Sequence, residues 1–128
     1  MTVYLDLDDL TEIAAIVLDR PPVVRDYGLL SSSATRPAAV AFGVEAYPDL
    51  WSKAGALLHS ICMNHALFDG NKRLAWAATR VFLALNGVPM KDVDVDRAER
   101  FVLSVAAGDR RDVQDIATEL RRLYGDLR

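Results

Sequence analysis

Residues 65–73 hold six side chains or backbone positions that could bind phosphate or metal within one short stretch. They are His65, Asp69, Gly70, Asn71, Lys72 and Arg73. An apolar segment precedes the stretch and a helical pattern follows it, so the sequence predicts a helix that begins at Gly70–Asn71. The first N–H groups of such a helix have no intrahelical partners, and the helix dipole places about half a positive charge there. The stretch therefore predicts an anion site.

The residues around the predicted helix start fit a phosphate group. Gly70 has no Cβ and would let a phosphate approach the backbone, while the Asn71 amide could donate to a phosphoryl oxygen. Lys72 and Arg73 oppose the dipole at this end of a helix, which fits a bound polyanion better than it fits stability. Asp69 is a hard oxygen ligand of the kind that holds Mg²⁺ beside phosphates.

A base for proton transfer is also present in the stretch. If the loop curls, His65 faces the same cavity and could take a proton from an attacking hydroxyl, which completes the groups that phosphoryl transfer needs. A lone histidine is more often structural than catalytic, so the hypothesis of phosphoryl transfer rests on the occurrence of all six residues together. The stretch is not a Walker A loop, because G-x-x-x-x-G-K-[ST] is absent. We interpret His59 and the GVEAYP segment as structural, and Trp51 and Trp76 as core residues.

The composition predicts one globular domain spanning residues 1–128. Hydrophobic residues make up 52% and charged residues 26%, which is ordinary for a chain that buries about two thirds of its unfolded surface. Cys62 is the sole cysteine, which fits a reducing compartment. An acidic N-terminus and short apolar runs predict a cytoplasmic protein without a membrane span. The net charge of −3 gives no overall attraction to nucleic acid.

Helical periodicity through most of the chain predicts an all-α fold of five or six helices. The predicted helices run from a cap at Asp6 or Asp8 to Leu18, from Leu50 (capped by Asp49) to about Met63, from Asn71 to Leu85, from a cap at Asp94 or Asp96 to near Gly108, and from a cap at Asp112 to Gly125. The helix 71–85 is apolar around much of its circumference, so we expect it to be central and buried.

Residues 20–48 are the least regular part of the sequence. Tyr27 to Ser33 could form a helical turn, whereas SSSATRP and FGVEAYPD have the composition of loops. Long loops in compact domains are often functional flaps or binding edges. We also expect an apolar groove to remain open on the surface of this fold.

The segment HALFDGNKR resembles the signature H-x-F-x-[DE]-G-N-x-R of the Fic/Doc family, specifically its Doc branch. In the AMP-transferring members of the family, Gly usually follows the Asn and a second Arg lies a few residues further on. Those positions hold Lys72 and Trp76 in this chain, and Lys is the Doc pattern. The similarity extends to VYLDLDDLTEI, RDYGLLSSSATRP, AFGVEAYPDL, VFLALNGV and LRRLYG, and so to nearly the whole chain.

The resemblance implies a compact helical Fic fold around a central buried helix, and a toxin of a bacterial toxin–antitoxin pair. Doc proteins are protein kinases that use ATP and Mg²⁺ to phosphorylate a threonine of elongation factor Tu, which blocks translation and arrests growth. The implied partner is a Phd-type antitoxin whose C-terminal segment occupies a surface groove, and the free toxin is expected to be a cytoplasmic monomer. Carried over by position, His65 is the general base, Asp69 the metal ligand, Gly70 and Asn71 the anion hole, and Lys72 and Arg73 the ATP-phosphate ligands.

Two departures from the family pattern leave alternatives open. The family's Phe falls at Leu67, which can fill the same space with less contact, and Ala14 stands where many relatives carry His. An inhibitory helix within the chain is not evident, so inhibition is expected from a separate protein. One alternative function is Fic-type AMP transfer, against which Lys72 and Trp76 count. The other is an inactive corepressor that binds antitoxin, for which Leu67 is the main support.

Overall fold

The computed structural model describes residues 1–125 and confirms the all-α fold class. The elements are helices α1 (Leu7–Leu18), α2 (Tyr27–Thr35), α3 (Leu50–Asn64), α4 (Asn71–Leu85), α5 (Val95–Ala106) and α6 (Val113–Leu123), a 3₁₀ turn (Arg36–Ala38), and strands β1 (Val40–Ala41) and β2 (Val44–Glu45). In residues 1–125 no helix is both long enough and apolar enough to cross a membrane.

Aspartate caps begin five of these helices. The side chains of Asp6, Asp26, Asp49, Asp94 and Asp112 each accept a hydrogen bond from a backbone N–H in the first turn that follows. Such a bond satisfies one of the donors that a helix start leaves unpaired. The predicted starts at Asp49 and Asp112 are therefore confirmed, and α4 has the predicted bounds. Where the sequence left two candidate caps, the structure has Asp6 rather than Asp8 and Asp94 rather than Asp96. Helix α4 differs from the others because its cap, Gly70, has no side chain.

The loop prediction for SSSATRP was wrong. Helix α2 continues to Thr35, and the 3₁₀ turn then extends the helical path to Ala38. The serine and threonine side chains bond back to the preceding turn: Ser33 Oγ donates to Leu29 O and Thr35 Oγ1 to Ser32 O. Leu30 and Ala34 are buried in the core. Tertiary burial of this face thus outweighs the weak helix propensity of a serine run.

The predicted loop FGVEAYPD is partly a hairpin. Strands β1 and β2 pair antiparallel, with Val40 opposite Glu45 and Ala41 opposite Val44. Lys53, almost fully buried on α3, anchors the hairpin by donating to Glu45 Oε1 at 3.0 Å and to the Tyr47 carbonyl. The pairing covers two residues on each side, too few to produce an alternating sequence pattern.

The central helix is α3, not α4 as predicted. Ten of its fifteen residues are buried, and it packs against α2, the 3₁₀ turn, α4, α5 and α6. Small residues permit this crowding: a Cβ on Gly55 would lie 3.2 Å from the backbone of Val113 and of Ala117 on α6. Helix α4 is apolar, but its Trp76 and Val81 are only partly buried. How closely neighbouring helices approach a helix depends on the sizes of the side chains at the contacts, and the apolar content of that helix alone does not reveal them.

Candidate active site

The loop that joins α3 to α4 turns through two left-handed residues. His65 ends α3 with φ 47° and ψ 46°, and Gly70 begins α4 with φ 90° and ψ 11°. A left-handed conformation costs a residue with a Cβ about 1–2 kcal/mol, so it is unusual at a histidine. The loop therefore curls, which is the condition for His65 to face the cavity, and the turn begins at the position of His65 itself.

The side chain of Asn71 joins the two sides of the loop by hydrogen bonds to the backbone of Leu67. Its Oδ1 accepts from Leu67 N at 3.0 Å, and its Nδ2 donates to Leu67 O at 2.9 Å. Leu67 is 2% exposed, so Leu fills the core position where the family carries Phe. The sequence indicates that the Asn71 amide could donate to a phosphoryl oxygen. In the structure one of the two N–H groups of this amide holds the loop, and the Asn71 backbone N–H at the helix start is a further donor for a phosphate.

Gly70 is required by packing as well as by its backbone angle. A Cβ at this position would lie 2.5 Å from Leu18 Cδ2 and 2.9 Å from Leu18 Cδ1. Leu18 is the last residue of α1 and is largely buried. The glycine therefore lets α1 pack against the start of α4 and so fixes the position of the helix N-terminus.

A cleft of about 420 Å³ lies between this loop and α5. Its lining residues are Cys62, His65, Phe68, Asp69, Gly70, Asn71, Lys72, Leu103, Ala106 and Ala107. Five of the six predicted site residues thus meet in one cleft. The sixth, Arg73, lies outside it and lines a neighbouring groove.

The neighbouring groove is a larger apolar cavity of about 530 Å³ between α4 and α5. Its apolar walls include Val17, Trp76, Ala77, Val93 and Val102. Lys72 and Leu103 line both cavities. Trp76, interpreted from the sequence as a core residue, packs against the core and also forms a wall of this groove.

Two cationic side chains, Lys72 and Arg73, lie at the start of α4. Within residues 1–125 neither Lys72 nor Arg73 forms an ion pair, and both side chains are exposed. Because the helix dipole disfavours them at this end, their presence does not stabilise the free protein. The arrangement has the charge and the free N–H groups of an anion site.

Asp69 is paired with an arginine that lies outside the predicted site residues. Arg20 Nη2 lies 3.0 Å from Asp69 Oδ2, and the two side chains are 43% and 73% exposed. An ion pair this exposed contributes about 0–1 kcal/mol, so it can open at little cost when a ligand competes for the carboxylate. No local pattern predicts this contact, because 49 positions separate the partners in the chain.

The residues present fit a metal that arrives with a nucleotide. Within residues 1–125 no three side chains of His, Cys, Asp or Glu lie close enough together to hold a metal ion by themselves. Asp69 offers one carboxylate beside the anion site. One or two carboxylates plus phosphate oxygens and waters form the usual Mg²⁺ environment in nucleotide enzymes.

The other candidates have structural surroundings. Arg36 Nη1 lies 2.6 Å from His59 Nδ1 and 3.0 Å from Ser60 Oγ, while Arg36 Nε donates to Tyr47 Oη. Burial and the Arg36 charge lower the pKa of His59. Burial raises the pKa of Cys62 to about 12, although Lys72 opposes the shift. Cys62 is therefore a neutral thiol in the cleft wall. His59 belongs to a structural network, in agreement with its interpretation as a structural residue.

Comparison with known proteins identifies the family of this chain. The Fic/DOC family model matches residues 4–83. A protein named Toxin Doc, from Mycolicibacterium smegmatis (strain ATCC 700084 / mc(2)155), is 52% identical over 121 residues, which cover 94% of this chain and 92% of that protein. The matched region includes α1 to α3, the whole loop, and most of α4. The chain therefore belongs to the Fic/DOC family.

Proposed function

We propose that this chain is the toxin of a bacterial toxin–antitoxin pair and acts as a Doc-type protein kinase. The observation that carries the kinase proposal is the cleft in which His65, Asp69 and Lys72 meet at the N-terminus of α4. A base, a carboxylate and unpaired positive charge are the groups that phosphoryl transfer requires. The similarity to a protein named Toxin Doc supports the role as a toxin.

The proposed reaction moves the γ-phosphoryl group of ATP to a hydroxyl of the target protein. His65 takes the proton of the hydroxyl as its oxygen bonds to the γ-phosphorus, while the bond from phosphorus to the bridging oxygen breaks and ADP leaves. The first N–H groups of α4, together with Lys72, stabilise charge on the transferring group. Bound Mg²⁺ supplies further neutralisation of the phosphates, and Asp69 is the side chain that would hold it.

The surroundings of α4 favour kinase activity over AMP transfer. The position at which AMP-transferring members carry a second Arg holds Trp76, which is partly buried against the core and lines the apolar groove. An indole offers no charge to hold a second phosphate. Arg73 lines the same groove beside Lys72, and its exposed side chain would bind the triphosphate from there. ATP would therefore be held chiefly through the groups around Lys72.

We further propose that the groove binds the C-terminal segment of a Phd-type antitoxin. An apolar cavity of about 530 Å³ on an α-helical surface suits an amphipathic segment that inserts apolar side chains. Because Lys72 lines both groove and cleft, an occupant of the groove would lie beside the phosphate site. In this proposal the free toxin is a cytoplasmic monomer, and its substrate is a threonine of elongation factor Tu, whose modification blocks translation.

A paired labelling assay tests the proposed reaction. The purified protein, Mg²⁺ and elongation factor Tu are incubated with γ-labelled or α-labelled ATP. We expect label from the γ position alone, lost in His65→Ala and kept in His59→Gln, which alters the chain's other histidine outside the cleft. Label from the α position would assign AMP transfer instead. Absence of label from both, with an intact fold by circular dichroism, would refute an enzymatic function on this target.

Thermal unfolding tests the antitoxin groove. A saturating peptide from the antitoxin C-terminus should raise the Tm, because a ligand that binds only the folded state stabilises it. Ala77→Arg, which fills the groove wall, should abolish the rise, whereas Thr118→Arg on the exposed face of α6 should not. An equal rise in both variants would place the peptide elsewhere.

A further inference from the structure

We propose that Arg25 is a positioning residue that holds His65 in the orientation needed for proton transfer. This inference rests on the proposed role of His65 as general base. It goes beyond that role because Arg25 belongs to the irregular segment between α1 and α2 and lies outside the signature stretch. The structure, rather than the motif, connects it to the site.

The Arg25 side chain caps the end of α3. Its Nε donates to His65 O at 2.8 Å, and its Nη2 donates to Asn64 O at 3.1 Å. The last carbonyls of a helix have no intrahelical partners, and a cation near them also interacts favourably with the negative end of the dipole. Helices often end instead with a left-handed Gly whose own N–H satisfies these carbonyls. Here the left-handed position carries His65, and a guanidinium from another segment binds the carbonyls.

The backbone around Arg25 supports the same loop. Arg25 N and Asp26 N both donate to Ala66 O, at 2.7 Å and 3.1 Å, and Phe68 N donates to Val23 O at 3.1 Å. Val24 and Leu67 form an isolated antiparallel bridge. The short segment 23–26 therefore lies alongside residues 66–68 and fixes the exit from the left-handed turn, while the Arg25 side chain fixes the entry.

The strain at His65 explains why such support is needed. A left-handed histidine costs about 1–2 kcal/mol relative to an ordinary backbone angle, and such strain persists only where the surrounding structure imposes it. Without the two guanidinium bonds, the last turn of α3 can relax and turn the imidazole away. A displacement of about 1 Å at a reacting group can lower the rate about 100-fold.

Steady-state kinetics of Arg25 variants test the proposal. In Arg25→Ala we expect kcat to fall about 10- to 100-fold while the KM for ATP changes less than about twofold, because ground-state nucleotide contacts are not altered. Arg25→Lys should retain an intermediate kcat, and added guanidinium ion should restore part of the activity of Arg25→Ala. Arg97→Ala is the matched control, since Arg97 also makes two hydrogen bonds, to Glu119 on α6, away from the cleft.

Amide hydrogen exchange separates failure of this inference from failure of the proposed kinase function. Whatever reaction the protein catalyses, Arg25→Ala and Arg25→Lys should speed exchange at residues 66–68 at least tenfold, with the core amides of α3 unchanged. Arg97→Ala should leave residues 66–68 protected. Unchanged exchange at 66–68, or a loss of kcat equal to that in Arg97→Ala, would overturn the positioning role. Absence of phosphotransfer in the unaltered protein would refute the kinase proposal alone.

Discussion

Replacing Gly70 with Ala tests whether α1 packing, rather than phosphate access alone, requires a glycine in this loop. The substitution adds one methyl group at a φ of 90°, only 2.5 Å from Leu18 Cδ2. The left-handed backbone contributes about 1–2 kcal/mol of destabilisation, and overpacking adds about 1–3 kcal/mol. Because Leu18 is 8% exposed, it has little room to turn away. We expect a total loss of about 2–5 kcal/mol in the free energy of unfolding.

Gly87→Ala is the matched control for this experiment. Gly87 has φ 93°, and no heavy atom lies within 4 Å of the added Cβ. Its substitution therefore carries the backbone cost of about 1–2 kcal/mol without the steric cost. The difference between the two variants, about 1–3 kcal/mol, isolates the contact between Gly70 and Leu18. Each kcal/mol corresponds to roughly 3–5 °C in Tm for a chain of this length.

Urea denaturation followed by circular dichroism measures these changes. A double-mutant cycle with Leu18→Ala completes the assay, because removing the leucine methyl groups makes space for the new Cβ. We expect Gly70→Ala to cost at least 1 kcal/mol less in the Leu18→Ala background than in the unaltered protein. The reasoning is refuted if Gly70→Ala and Gly87→Ala are equally destabilising, or if the cycle shows no coupling.

Three further predictions follow from the histidines and the cysteine. His65→Gly should raise the free energy of unfolding by up to about 1 kcal/mol, because it relieves the left-handed strain, and a less stable variant would contradict the strain argument. The same variant should abolish growth inhibition in a plate assay. The pKa of His59 lies below 6.5 in the folded chain, through burial and Arg36, so the unfolded chain binds the extra proton and stability falls as the pH drops through 6.5. The Tm of His59→Gln should lose this part of the pH dependence between pH 7 and 5, and parallel curves would refute it. Cys62 is 1% exposed with a pKa of about 12, so Ellman's reagent at pH 8 should modify it only in denaturant; rapid labelling of the native protein would show that the cleft opens.

The helices were largely predictable because their signals are local. An aspartate cap followed by an apolar periodicity marks a start within a few residues: Asp49 and Asp112 act as predicted, and Asp6 and Asp94 are each one of two predicted candidates. The same holds for the chemistry of residues 65–73, since both the positive end of a helix and its unpaired N–H groups follow from a helix start. Each of these inferences depends on residues that are close in the chain.

The errors arose where burial by distant residues decides the outcome. The serine-rich end of α2 is helical because Leu30 and Ala34 reach the core and because Asn64 on α3 donates to Leu29 O and Ser33 Oγ. Likewise α3 rather than α4 is central, because close contact with α6 at Gly55 depends on the partner's backbone. Composition and periodicity carry no information about which neighbour a helix face meets.

The sequence by itself determined the groups available for chemistry and the helix start that presents them. The tertiary structure decided which groups meet, since it places His65, Asp69 and Lys72 in one cleft and Arg73 at the neighbouring groove. It also decided how the loop is held from outside, through Arg20 on Asp69 and Arg25 on His65. The physical reason is that hydrogen bonds between segments tens of residues apart depend on the packing of α1, α2 and α3, which no local pattern encodes.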